Sequence, residues 1–172
     1  MEAANQLEDW HDLYVMLGTS AAALIGLLFV VTSLHLDEIM NSEAFRIRAR
    51  NMTFHLLALL VEATLILTPQ PIAVLGAELV AINLLGLQLP LSFVYKAFYK
   101  NKQMRKRGAY SIYRGIINIA GYVLGIAGGA SLIERSNLGM YLITASFIAF
   151  LVSAILNSWT IMTVVGQTAK QK

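Results

Sequence analysis

The sequence predicts an all-α protein, a polytopic bundle of transmembrane helices. Hydrophobic residues make up 57% of the 172 residues, against about 45–50% in ordinary globular domains. Charged residues make up only 13%, roughly half the usual share. This composition argues against a disordered chain, a nucleic-acid-binding domain and a typical soluble enzyme. Little chain is left outside the apolar stretches, so residues 1–172 are predicted to form a single transmembrane domain.

Five apolar stretches approach the length of about 20 residues that a helix needs to cross the bilayer core. They cover about residues 13–36, 52–68, 72–95, 112–133 and 138–166. Pro69 and Pro71 separate the second stretch from the third, because proline ends one helix and suits the first turn of the next. Pro90 predicts a kink in the third stretch. Residues 52–95 could instead form a re-entrant hairpin, but two full spans are favoured because re-entrant backbone needs protein cover.

The distribution of basic residues predicts the orientation of the chain. With five spans, 12 of the 13 Lys and Arg residues fall on one side, and only Arg135 falls on the other. The positive-inside rule then places the N-terminus outside and the C-terminus in the cytoplasm. The residues before the first span include acidic side chains and no basic one, unlike a secretory signal peptide, so this span is expected to stay as a membrane anchor.

Residues near the predicted interfaces indicate contact with lipid. The basic residues between the third and fourth spans are interleaved with aromatic ones, and they include Lys96, Lys100, Lys102, Arg105, Lys106 and Arg107. Their position beside two spans predicts anionic lipid headgroups as partners, and no nucleic acid. Trp10, Tyr14 and Tyr141 are predicted to lie at the outer interface, where amphipathic rings are favoured.

Small residues at intervals of four predict close contacts between helices. They form one series in the first span and one in the fourth: Gly18, Ala22, Gly26, Gly121, Gly125 and Gly129. Such faces let helix backbones approach closely in lipid. The contacts could lie within one subunit or between subunits of a homo-oligomer, or they could receive another membrane protein.

Two acidic residues within the spans are the strongest functional candidates. Glu62 and Glu78 lie eight residues before and after Gln70, the centre of the turn between the second and third spans. A rise of about 1.5 Å per residue puts both about 12 Å below this turn. An acid at this depth is costly unless it is paired, protonated or hydrated. If the two faced each other, they could share a proton or bind a cation. Each could equally form hydrogen bonds between helices.

Histidines supply further candidates. His55 lies seven residues before Glu62 on the same helical face, which suggests a proton path from the cytoplasmic side, although a satisfied polar residue is the simpler interpretation. His35 and Glu38 share a face at the end of the first span and are weak candidates for a metal site. The chain has no cysteine, and no catalytic motif, catalytic residue or cofactor is predicted.

The first span contains the segments Trp10-His11-Asp12-Leu13-Tyr14, Gly18, Ala21-Ala22-Ala23, Gly26-Leu27-Leu28-Phe29-Val30 and Ser33-Leu34-His35-Leu36. In these segments it resembles the first span of a family of small, uncharacterised integral membrane proteins from bacteria. The resemblance covers residues 10–36 and implies a multi-pass protein of the bacterial inner membrane, with no activity attached.

These observations favour a scaffold or regulatory subunit that packs through its small-residue helix faces and is not an enzyme. The alternative is an oligomeric channel or transport protein for protons or small cations that uses Glu62 and Glu78. A metal-assisted membrane enzyme that uses the histidines and acids of residues 35–38 together with His55 ranks third.

Overall fold

The protein is helical throughout the residues that the computed structural model describes, which are 2–41, 43–99 and 109–169. Six helices fill these ranges: α1 (Glu2–Leu34), α2 (Leu36–Asn41), α3 (Glu43–Leu67), α4 (Ile72–Tyr99), α5 (Ala109–Ile133) and α6 (Leu138–Ala169). All except α2 are long and apolar enough to cross a membrane, as the sequence predicted. Their candidate spans are Asp9–Leu34, Ala49–Leu67, Ile72–Leu91, Gly115–Ile133 and Leu138–Trp159. The chain therefore has the helices of a multi-pass membrane protein.

The helices extend beyond the apolar stretches that predicted them. α1 begins at Glu2 and α3 begins at Glu43, well before their candidate spans. Polar residues can continue a helix outside an apolar layer, so hydropathy marks part of a helix and not its ends. The short α2 was not predicted. It follows a break at His35, where the amide of His35 still donates to the Val31 carbonyl at 3.2 Å. α4 continues through Pro90 to Tyr99.

The turn between α3 and α4 follows from its two prolines. α3 ends at Leu67 before Pro69, and α4 begins at Ile72 directly after Pro71, as expected. The Pro71 carbonyl accepts hydrogen bonds from two amides of the first turn of α4, at 2.9 and 3.1 Å. The spans on either side have 19 and 20 residues, so each is long enough to cross a membrane on its own.

The turn between α5 and α6 has the hydrogen bonds of a Schellman motif. The Ser136 amide donates to the Ser131 carbonyl at 2.9 Å, and the Arg135 amide donates to the Leu132 carbonyl at 3.0 Å. Arg135 has a positive φ of 58°, at the position where glycine is usual. The Ser136 hydroxyl then accepts from the Leu138 amide at 3.4 Å, so Ser136 helps to cap α6.

The five long helices form one bundle, and α1 contributes Tyr14, Leu17, Ala21 and Leu28 to its buried core. α5 packs extensively between α4 and α6, α6 also contacts α3, and α3 meets α4 beside their shared turn. α1 packs mainly against α3. We call the end where α1 stops and α3 begins the Arg46 end. The opposite end, which holds residues 68–71 and 134–137, is called the turn end.

Glycines set the closest contacts between these helices. A Cβ atom added to Gly76 of α4 would lie 2.6 Å from the Gly129 carbonyl oxygen of α5. One added to Gly139 of α6 would lie 2.9 Å from the Gly128 carbonyl oxygen of α5. No side chain fits at such distances, so these backbones approach closely only because the residues are glycines.

Candidate functional site

The interior of the bundle holds a polar cluster, which we call the Glu62 cluster. Its members are Glu62 and His55 of α3, Asn83 of α4 and Tyr122 of α5, and all four are buried. Glu62 and His55 both face inward because seven residues are almost two full turns of helix. The two lie about 10 Å apart along α3, since each residue adds about 1.5 Å.

Glu62 is only 1% exposed and has an amide partner on the neighbouring helix. Its Oε1 atom accepts a hydrogen bond from Asn83 Nδ2 at 2.9 Å. The same Nδ2 also donates to the Leu79 carbonyl of its own helix at 2.9 Å. The Asn83 side chain packs closely against Gly125 of α5, because a Cβ atom added to Gly125 would lie 2.3 Å from Asn83 Oδ1. Gly125, which belongs to the predicted packing series, thus leaves the space in which the Asn83 amide contacts Glu62.

Three buried polar atoms of this cluster have no hydrogen-bond partner among the described residues. They are Glu62 Oε2, Asn83 Oδ1 and His55 Nε2. An unpartnered polar atom in an apolar interior costs about 1–3 kcal/mol, so such atoms are uncommon in folded proteins. All three can accept a hydrogen bond from water or coordinate a cation, and the Glu62 carboxylate and His55 Nε2 can also bind a proton. The cluster therefore offers acceptors without donors to satisfy them.

The protonation of His55 can be assigned from its hydrogen bond. Its Nδ1 atom contacts the Asn51 carbonyl, which can only accept, so Nδ1 must carry the hydrogen. In the neutral ring Nε2 is then the free acceptor. The ring packs against the rings of Tyr122 and Phe150, with centroid distances of 5.5 and 5.4 Å, and those two rings also contact each other at 4.7 Å.

Two buried tyrosines lie in the same interior as Glu62. The Tyr122 ring packs against Gly86, where an added Cβ atom would lie 2.2 Å from Cε1 of the ring. Tyr14 of α1 is fully buried, and its hydroxyl lies 3.0 Å from Thr144 Oγ1 and donates to the Met140 carbonyl at 3.3 Å. Tyr14 was predicted at the outer interface, but it is an internal residue here.

Glu78 has a different partner from Glu62. Its Oε2 atom accepts from Gln70 Nε2 at 2.9 Å, and that amide also donates to the Leu65 carbonyl at 3.1 Å. Glu78 is half-buried beside the turn. Counting residues gave the two acids the same depth, but their partners depend on how each helix is rotated. The hydrogen bonds therefore pair each acid with an amide and not with the other acid.

The predicted small-residue series divides between the interior and the surface. Gly18 lies against Ala63 of α3, and Gly121 lies against the Phe150 ring of α6. By contrast, Ala22 is exposed, and none of the described residues lies within 4 Å of a Cβ atom added to Gly26. This part of the α1 series thus forms no close helix contact like that of Gly18 among the described residues. Close contacts are also made by glycines outside the two predicted series, namely Gly76, Gly86, Gly128 and Gly139.

The remaining candidates lie at the Arg46 end or outside the described residues. His35 is half-buried at the break between α1 and α2, and the side chain of Glu38 lies outside the described residues. Within residues 2–41, 43–99 and 109–169, no three His, Cys, Asp or Glu side chains form a group that could hold a metal. Lys96 belongs to α4, but its side chain is not described. The other basic residues predicted to contact lipid, Lys100, Lys102, Arg105, Lys106 and Arg107, lie outside the described residues.

Comparison of the chain with protein families, curated proteins and solved structures finds no match. The family resemblance of residues 10–36 therefore stays a prediction.

Proposed function

We propose that the protein passes protons across the membrane, or couples them to transport, with Glu62 as the intramembrane proton-binding group. One observation carries the proposal: Glu62 is 1% exposed, and one of its carboxyl oxygens has no partner among the described residues. Acids inside transmembrane bundles characteristically belong to proton relays or ion paths. A predicted location in the bacterial inner membrane is part of this proposal.

The Glu62 cluster supplies groups that could carry a proton towards and away from the acid. On the predicted cytoplasmic side, His55 Nε2 is an open acceptor, and the Tyr122 ring lies beside it. His55 and Glu62 start about 10 Å apart along α3, so in this proposal Tyr122 or water carries the proton between their side chains. On the predicted outer side, Tyr14 and Thr144 continue the line of hydroxyl groups.

Proton flux into liposomes tests this function. The purified protein is reconstituted with a pH-sensitive dye inside the vesicles, and flux is driven by a potassium diffusion potential. We expect flux above that of empty vesicles and a fall of at least about tenfold in Glu62→Gln, because the amide cannot bind and release a proton in this range. Glu78→Gln is the matched control and should keep most of the flux. Equal flux in Glu62→Gln and the unmodified protein would overturn the proposal.

The exposed part of the α1 series favours a second candidate, a scaffold or regulatory subunit. Gly26 and Ala22 offer a small-residue surface to another transmembrane helix, and no part of the described chain covers Gly26. Sedimentation in detergent and pull-down from native membranes test this function. Association should be lost in Gly26→Leu and kept in Ala81→Leu, which enlarges an exposed small residue of α4. Association unaffected by Gly26→Leu would exclude this face as the contact.

A further inference from the structure

A pocket of about 240 Å³ opens at the Arg46 end of the bundle, between α1, α2 and α3. Its volume is below the range of about 300–1,000 Å³ that is typical of sites for whole drug-sized ligands. The wall is mostly apolar: Leu28, Phe29, Leu36, Ile39 and Met40. The pocket is separate from the Glu62 cluster, none of whose members lines it.

The two hydroxyl groups in the pocket wall are already satisfied. The Thr32 hydroxyl donates to the Leu28 carbonyl at 2.7 Å, and the Thr53 hydroxyl donates to the Ala49 carbonyl at 2.9 Å. Neither hydroxyl therefore needs a hydrogen bond from a ligand. The interior of the pocket is suited to a hydrocarbon chain.

Two arginines supply the charge of the pocket. Arg46 and Arg50 are one helical turn apart on α3, so their side chains start about 6 Å from each other, and both are exposed. The Arg46 Nη1 atom makes a long bond of 3.5 Å to the Met40 carbonyl. Neither guanidinium forms an ion pair with a described carboxylate. The positive charge is thus available to a ligand.

We propose that this pocket binds an anionic phospholipid, with part of one acyl chain in the apolar interior and the phosphate on Arg46 and Arg50. Guanidinium groups bind phosphate through paired, charge-assisted hydrogen bonds. The positive-inside rule places this end of the bundle at the cytoplasmic leaflet, where basic pockets between helices bind anionic headgroups. The charge, the apolar wall and the position all complement such a lipid, and the volume accommodates a chain segment.

Native mass spectrometry tests the proposal on the full chain, released from nanodiscs of equal parts phosphatidylglycerol and phosphatidylcholine. We expect the unmodified protein to retain phosphatidylglycerol in preference to phosphatidylcholine. The double variant Arg46→Gln with Arg50→Gln should retain it about thirtyfold less, since each of the two basic residues contributes about 1 kcal/mol near an anionic surface. Both arginines are exposed, so their replacement should leave the bundle folded.

Two further variants distinguish binding of the lipid in the pocket from electrostatic attraction of the lipid to basic residues elsewhere on the protein. The variant Lys170→Gln with Lys172→Gln removes the same charge from the C-terminal tail and should retain the lipid. Ala49→Leu fills the pocket without changing its charge and should lose it. Equal retention by the double arginine variant would overturn the proposal. So would undiminished retention by Ala49→Leu, because the lipid would then be held at the surface alone.

Discussion

Replacement of Glu62 by glutamine separates the charge of the buried acid from its shape. In the native cluster Asn83 Nδ2 donates to Glu62 Oε1 at 2.9 Å, while Glu62 Oε2 and Asn83 Oδ1 have no partner among the described residues. Glutamine keeps an oxygen that can accept from Asn83. It also adds an NH₂ group, which is a permanent donor for the unpartnered Asn83 oxygen, whereas the carboxyl supplies a donor only when it is protonated. We therefore expect Glu62→Gln to fold and to be more stable than the unmodified protein with Glu62 ionised.

The size of the effect follows from hydrogen bonds between transmembrane helices. Such bonds contribute about 0.6 kcal/mol on average and at most about 1.7 kcal/mol. One new bond to Asn83 should thus raise the free energy of unfolding by about 1 kcal/mol. Glu62→Ala removes the existing bond and leaves a cavity in the interior. Together these losses should lower the free energy of unfolding by about 2 kcal/mol or more.

Reversible unfolding in mixed detergent micelles, followed by circular dichroism, measures these differences. Glu78→Gln is the control, because Gln70 can still donate to the new amide oxygen, and we expect its stability to change by less than about 0.5 kcal/mol. The reasoning is refuted if Glu62→Gln loses as much stability as Glu62→Ala. In that case the interior would stabilise the carboxylate charge itself, through groups other than the Asn83 amide.

Four further substitutions test the packing and the turn between α5 and α6, each by the same unfolding measurement. Gly125→Ala should lower the free energy of unfolding by about 1–3 kcal/mol, because its Cβ would lie 2.3 Å from Asn83 Oδ1. Gly26→Ala should change it little, because no described residue lies within 4 Å of its Cβ, and equal effects of the two variants would contradict the packing. Arg135→Gly should raise the free energy of unfolding by about 1 kcal/mol, because glycine adopts the positive φ of 58° without strain. A lower free energy of unfolding would contradict this backbone conformation of the turn. Tyr14→Phe should lower the free energy of unfolding by about 1 kcal/mol, because it removes the hydrogen bonds of the hydroxyl to α6. Unchanged stability would show that these hydrogen bonds contribute nothing.

The number and type of the long helices could be predicted from the sequence because they depend on local properties. An apolar stretch of sufficient length favours a membrane-compatible helix whatever surrounds it, and Pro69 and Pro71 interrupt a helix wherever they occur. The shared face of His55 and Glu62 is equally local, since it depends only on their spacing within α3. These features needed no knowledge of how the helices pack.

The partners of the buried groups could not be predicted, because they depend on the rotation of one helix relative to another. The sequence placed Glu62 and Glu78 at one depth, but the structure pairs Glu62 with Asn83 and Glu78 with Gln70. Tyr14 was assigned to the interface from its position near the end of a span. Its burial results from the packing of α1 against α3 and α6, which no pattern within α1 encodes.

The packing glycines and the buried acid belong to one arrangement. α4 can lie against α5 because Gly76 and Gly129 bring their backbones together near the turn end. About one helical turn away, the same close approach leaves room at Gly125 for the Asn83 amide, which donates to Glu62. A polar residue in an apolar bundle thus has a fixed position because a glycine on the facing helix makes space for it. The small residues of α5 therefore also determine the surroundings of the acid, and a scaffold built only for helix packing would not need that acid.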